Sequence, residues 1–367
     1  MDRIKEIHIY QYDLPVVGPS YRMALSHLTK LDTTLVKIVC ESGVSGFGEV
    51  CPLGDTYQPA HPAGVRAALQ LIAHHLIGMN PLQTQTIYSK MDLALSGHTY
   101  AKAAIDIALW DLKGKIFGVS LSDLLGGATV NQVPSYYAIS TNTPENVAEI
   151  MKEKQAQGYP RLQLKVGGRD IEEDIAVAHK AFEVRKASVK IVLDANRSLS
   201  TRDAIFLSNA CRDLNFTLEQ PCNTYEEIKS LKGRLHHPIF VDESITGINM
   251  VCRSIHDEVA NGFGMKITRV GGISNMIAIR DICRDFNRPM TCEDSWGGDI
   301  IAAACVHMGA TIAPKLLEGV WISDNYIEGN YDEENPISAG SHIKVPTGPG
   351  LGINPDTSKW NLVAALN

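Results

Sequence analysis

The chain has 367 residues, 44% hydrophobic and 20% charged, with a formal net charge of −7. That balance excludes a disordered or fibrous chain and leaves room for a barrel of about 250 residues plus a second domain. An acidic chain with no basic stripe is a poor partner for nucleic acid or an anionic membrane surface.

The opening MDRIKEIHIY is charged and alternating, which predicts a strand over residues 4–15 and not a signal peptide. TTLVKIVCESGVSGFGEV reads as two strands around a Ser42-Gly43 turn. Its glycines, Gly43, Gly46 and Gly48, invert the order of a dinucleotide fingerprint and no helical pattern follows, so a hairpin explains them and a nicotinamide-dependent oxidoreductase is set aside. Helical patterns come next, in AGVRAALQLIAHHL, near residues 82–95, and in AKAAIDIALWDLKGKIFG with Gly118 as its C-cap.

From about residue 130 the texture becomes repetitive. Strand patterns VPSYYAI, RLQLKVG, KIVLDAN, FTLEQP, PIFVDES, GFGMKIT, RPMTCEDS and LEGVWIS alternate with helical stretches such as IEEDIAVAHKAFEVRK and NMIAIRDICRDF. The expected fold is α/β: a (β/α)₈, TIM-like barrel with an N-terminal α+β capping domain. Residues 1–128 form the cap, 129–335 the barrel, and 336–367 a Gly/Pro-rich segment returning to the cap. IIAAACVHMGATIA is too short to span a bilayer and is interrupted by His307. The eight cysteines form no CxxC pair, so reduced thiols in a cytoplasmic protein are expected.

Asp194, Glu219 and Asp242 each close an apolar run, at nearly even steps. In a barrel of βα repeats such ends gather at one mouth. A single strand-terminal Asp is commonly a helix cap, but three buried like charges in one cavity call for a neutralising cation, and hard oxygen donors suit Mg²⁺ or Mn²⁺. Asn196 and Glu243, beside the first and third acid, are candidate supports. Lys165 and Lys266 end strands two and six, on roughly opposite sides of the barrel axis. A nearby cation, and each other, would lower their pKa values and suit them to acid–base work.

The set Lys165, Asp194, Glu219, Asp242 and Lys266 resembles the muconate lactonizing enzyme subgroup of the enolase superfamily, as do IDIALWDLKGK in the cap and DES at strand five. The resemblance spans nearly the whole chain. It implies an enzyme with Asp194, Glu219 and Asp242 as Mg²⁺ ligands, a lysine base, and an enediolate formed on a small carboxylate substrate. The subgroup's Lys-x-Lys is here Gln163-Leu164-Lys165: the base position is kept, while the auxiliary lysine is replaced by Gln163, a further supporting residue. The mandelate racemase subgroup would want a histidine at the end of strand seven, where this chain has Asp294.

RLQLKVGG, LEQPCNT, GFGMKITRVGG, DSWGGDIIAAAC and EGVWIS resemble enzymes acting on proline derivatives, the cis-3-hydroxy-L-proline dehydratases and, less closely, the proline-betaine 2-epimerases. The expected reaction is α-proton abstraction with loss of water, and epimerisation competes. Trp321 is read either as packing or as a platform for the ring or its nitrogen. Tyr57, in VCPLGDTYQPAHP, either reaches inward or sits on a surface turn. That loop and VVGPSYRMAL match the family's two specificity loops. Asp294 and Asp299 bind a substrate amine or cap a helix. Muconate cycloisomerase and dipeptide epimerase are further alternatives, although the Asp-x-Asp of dipeptide epimerases is missing from strand eight; a non-catalytic binding protein is a rival of another class. A homo-oligomer is the expected assembly.

Overall fold

The computed structural model describes residues 2–18, 21–22, 27–54 and 56–367, with the side chains of 21, 22, 27 and 28 left aside. Positions 19–20 and 23–25 of the first capping loop, and Asp55 of the second, lie outside the described residues.

Strands Ile4–Pro15, Lys30–Cys40 and Ser45–Val50 form an antiparallel sheet, and the C-terminal strand Asn361–Leu366 adds to its far edge against Ile4–Pro15. Period-two alternation makes both faces apolar. Ile7, Ile9, Val36 and Ile38 pack toward the helices, while Tyr10, Leu14, Leu31 and Leu35 join the larger core that runs through the barrel. Gly43 takes the left-handed conformation of the hairpin turn, at φ +87°. A Cβ at Gly48 would run into the Ala104 carbonyl, so the hairpin glycines let helix Thr99–Phe117 approach the sheet. That helix is buried on most sides and ends at Gly118 in the left-handed conformation, φ 68°.

The eight predicted barrel strands all form and are hydrogen-bonded in chain order: Tyr136–Ile139, Arg161–Lys165, Lys190–Asp194, Thr217–Glu219, Ile239–Val241, Gly262–Phe263, Met290–Cys292 and Leu317–Val320. Neighbouring strands pair in parallel, and a parallel bridge from Ser135 to Val320 joins the first strand to the eighth. Seven strands are followed by an α-helix. After the eighth only the 3₁₀ turn Ser323–Tyr326 forms, and the chain leaves for the cap. The sequence there, SDNYIEGNYDEENP, lacks apolar residues at helical spacing, which accounts for the missing eighth helix.

All eight cysteines are free thiols and only Cys252 is exposed. Among the described residues no helix is long and apolar enough to cross a membrane.

Candidate active site

The strands position the polar side chains by simple alternation. On the second strand Arg161, Gln163 and Lys165 occupy every other position and so face the barrel interior together. Arg161 donates to Glu219 Oε2 at 3.2 Å and stacks 4.2 Å from the Tyr136 ring centre. Gln163 Nε2 and Lys165 Nζ both donate to Asp194 Oδ2, each at 2.5 Å.

Asp194 and Glu219 are register partners on strands three and four. Gln220 links Glu219 to the next strand: its side-chain carbonyl accepts from the backbone N–H of Asp242 at 3.0 Å and of Ser244 at 3.2 Å. Gln220 has φ +36°, and Asn196 and Arg197, just past Asp194, have φ +41° and +71°. Left-handed backbone at non-glycine residues within three positions of two of the acids is strain held in place by its surroundings.

Asp242 receives both Nζ contacts of Lys266, at 2.8 and 2.7 Å, one from Arg269 at 2.6 Å and the Tyr57 hydroxyl at 3.3 Å. Tyr57 thus reaches inward from the capping loop. Asn196 donates its backbone N–H to Asp194 and its side-chain amide to Glu243.

One pocket is lined by Lys165, Lys266, Asp194, Asp242, Gln163, Tyr57, Asp294 and Trp321, with Glu293, Trp296 and Tyr136 added by the structure. Glu219 is buried and does not line it. Lys165 and Lys266, on strands four apart in a ring of eight, face it from opposite sides. Trp321 packs 5.5 Å from Trp296 and 5.5 Å from Tyr326, so it is both wall and packing. Asp294 caps no helix. Its oxygens accept from Thr268 N–H, Thr268 Oγ1 and Ser295 N–H, tying the end of strand six to that of strand seven. Asp299 pins the departing chain by accepting from the N–H groups of Tyr331 and Asp332.

The charges are unevenly compensated. Burial alone would raise the Asp242 carboxyl, but Arg269 and Lys266 hold it below the usual carboxylate range. Glu219 goes the other way: burial, then the Asp194 charge, push it well up, Asp242 adds to this, and Arg161 opposes it only in part. Burial and the charges of Asp242 and Asp194 push Glu243 up to about 8. For Lys266 burial would lower the pKa, yet Asp242 and Glu293 hold it above the ordinary lysine value.

Among the described residues no three His, Cys, Asp or Glu side chains stand together in metal-ligating range. Each of the three acids is turned toward a cation: Asp194 to Lys165, Glu219 to Arg161, Asp242 to Lys266 and Arg269. Sequence reading passed over both arginines. Arg161 carried a signal, since it shares the parity of Gln163 and Lys165; Arg269, three residues past Lys266 in a non-helical turn, carried none.

A capped parallel barrel with acids at three successive strand ends and lysines facing each other across the mouth defines a recognised class. Residues 146–359 match the enolase C-terminal domain-like family and residues 6–126 the mandelate racemase / muconate lactonizing enzyme N-terminal domain. The chain belongs to the enolase superfamily and is an enzyme. It is 39% identical over 354 residues to the cis-3-hydroxy-L-proline dehydratase of Roseibium aggregatum, covering 96% of each chain. To muconate cycloisomerase 1 of Pseudomonas putida it is 25% identical over 368 residues, covering 98% of this chain and 97% of that one. A solved enolase-superfamily member from Roseovarius nubinhibens ISM, complexed with magnesium, is similar over 100% of both chains, with a TM-score of 0.95 and 30% identity.

Proposed function

We propose that the enzyme removes water from cis-3-hydroxy-L-proline to give Δ1-pyrroline-2-carboxylate, with 2-epimerisation competing. The observation that carries the reading is two lysines facing one pocket from opposite sides with carboxylates between them. In this substrate the α-hydrogen and the 3-hydroxyl lie on opposite ring faces. One lysine, as the free amine, takes the α-proton. The electron pair forms the Cα–Cβ double bond, and the opposite lysine, as ammonium, protonates the departing hydroxyl so that it leaves as water. The resulting enamine tautomerises to the imine. Return of a proton to Cα from the second lysine gives the epimer instead.

Asp194, Glu219 and Asp242 are the residues that would hold Mg²⁺, or Mn²⁺. Three hard oxygen donors, all buried at successive strand ends of one mouth, suit such an ion. Gripping one ion requires the Asp194–Lys165 and Asp242–Lys266 pairs to be given up, which also releases both amines toward substrate. When bound, the ion supplies positive charge for the substrate carboxylate as the α-proton leaves. Gln163, Asn196 and Glu243 support the acids, and Tyr57 seals the pocket from the cap.

A second reading is epimerisation of proline betaine or hydroxyproline betaine, favoured by the aromatic wall of Trp321 and Trp296, whose faces suit a quaternary nitrogen. Incubation with each compound and Mg²⁺ in D₂O separates the two. Pyrroline formation supports the dehydratase; α-deuteration without loss of water supports the epimerase. No α-exchange from any proline derivative removes both.

A further inference from the structure

Gln163 Nε2 donates to Asp194 Oδ2 at 2.5 Å. A carboxylate only accepts, so chemistry fixes which end of the amide faces it: the nitrogen must, and the carbonyl must point away. That carbonyl oxygen is buried without a hydrogen-bond partner, on a residue only 3% exposed in the wall of the pocket. An unmade buried acceptor is a standing desolvation penalty that a ligand donor would relieve.

We propose that Gln163 Oε1 is the acceptor for the N–H of the substrate's α-nitrogen, and so selects a secondary amine over a fully alkylated one. The inference rests on the reading above, in which the substrate is an α-amino carboxylate. The nitrogen and the carboxylate are bonded to the same carbon. A carboxylate drawn to the cation that the acids would hold therefore brings the nitrogen toward Gln163, the residue hydrogen-bonded to Asp194. The rival acceptors are already engaged. Asp294 takes three donors from Thr268 and Ser295, and Glu293 takes the hydroxyls of Tyr136 and Thr291 and faces Lys266 at 3.7 Å. A lysine at position 163 would present only donors to the pocket, so glutamine here changes what the wall can read.

The test compares α-deuterium uptake from cis-3-hydroxy-L-proline, L-proline and N,N-dimethyl-L-proline by the wild type, Gln163→Met and Gln163→Lys. Gln163→Lys keeps a donor toward Asp194 and guards against misfolding in the methionine variant. Both variants should raise KM for the two N–H substrates by about ten-fold or more, the effect of one hydrogen bond to a charged group, relative to any change for the dimethyl compound. A uniform change across the three, or none, overturns the assignment, because support of Asp194 alone affects them equally. Loss confined to the hydroxylated substrate moves the contact to the 3-hydroxyl and overturns it too. So does N–H selectivity lost in Glu293→Gln and kept in both Gln163 variants. A wild type that labels none of the three sinks the substrate reading and this inference together, a failure visible before any variant is made.

Discussion

Glu49, Asp106 and Asp111, where the cap meets the barrel, are buried as deeply as Asp194, Glu219 and Asp242 at the mouth. Their partners differ in kind. Glu49 accepts from the N–H groups of Gly298 and Ile301 and the hydroxyls of Tyr331 and Thr33. Asp106 takes the N–H and hydroxyl of Ser274, and Asp111 the N–H groups of Phe47 and Leu351 beside Lys115. These donors are mostly neutral and belong to backbone, so they tie segments distant in sequence and have no charge to exchange. At the mouth the donors are mainly lysine and arginine side chains. A cationic side chain can be displaced by another cation; a backbone amide cannot. Depth of burial therefore does not separate a structural acid from a functional one, but the nature of its donors does.

The sharpest way to break that contrast is to remove the mouth amines. Lys165→Ala and Lys266→Ala should each lower kcat by about 10²–10⁴-fold with the fold retained, and one of them should keep α-proton exchange on a single face. Full turnover in either would put the lysines in the same class as Lys115. Next, a chelator should stop α-exchange and lower Tm, and added Mg²⁺ should restore both. An untouched Tm and exchange rate would mean that the mouth acids are satisfied by their lysines and arginines alone.

The contrast was half legible in the sequence. Asp194, Glu219, Asp242, Lys165 and Lys266 follow apolar strand runs at regular spacing, so topology alone carries them to one mouth. Eight strands followed from periodicity, and the returning tail from its glycines and prolines. The junction acids were silent. Asp106 and Asp111 sit inside a helical run where charged residues ordinarily face solvent, and only the packing of Thr99–Phe117 between sheet and barrel buries them. Local sequence leaves Asp294 open as an amine acceptor or a cap, because it cannot show that Thr268, from the neighbouring strand's turn, claims its oxygens. Gln163 registered as a lost lysine; its orphaned carbonyl appears only once Asp194 is placed beside it.

Smaller effects sharpen the same division. Trp321→Ala should raise KM more than it lowers kcat, by about two- to thirty-fold for an aromatic–cation contact of about 0.5–2 kcal/mol. An equal fall in kcat and kcat/KM would make Trp321 part of the reacting geometry instead. Asp106→Ala should lower stability by about 1–3 kcal/mol through the stranded N–H of Ser274, at the start of a helix whose N-cap, Gly272, has no side chain, and should leave kcat per folded molecule unchanged.

The least effect is expected from titrating Glu49. Burial pushes its carboxyl up from 4.5 to about 7, against the partial opposition of its donors. With the folded-state pKa above the unfolded one, the folded protein holds the extra proton through that interval. This group's contribution to stability is therefore largest below the unfolded pKa and falls as pH rises through 7. Glu49→Gln does not titrate, so the wild type should gain Tm relative to the variant as pH is lowered from 8 to about 5.5. A flat difference would mean that Glu49 stays ionised throughout, satisfied by neutral donors as fully as Asp242 is by cations. Gly298 and Ile301 lead out of the loop carrying Ser295 and Trp296. If the junction only ties the cap to the barrel, the Glu49→Gln change should therefore leave KM alone across the same pH range. A KM that moves with Tm would make this buried acid a positioning residue for the pocket wall.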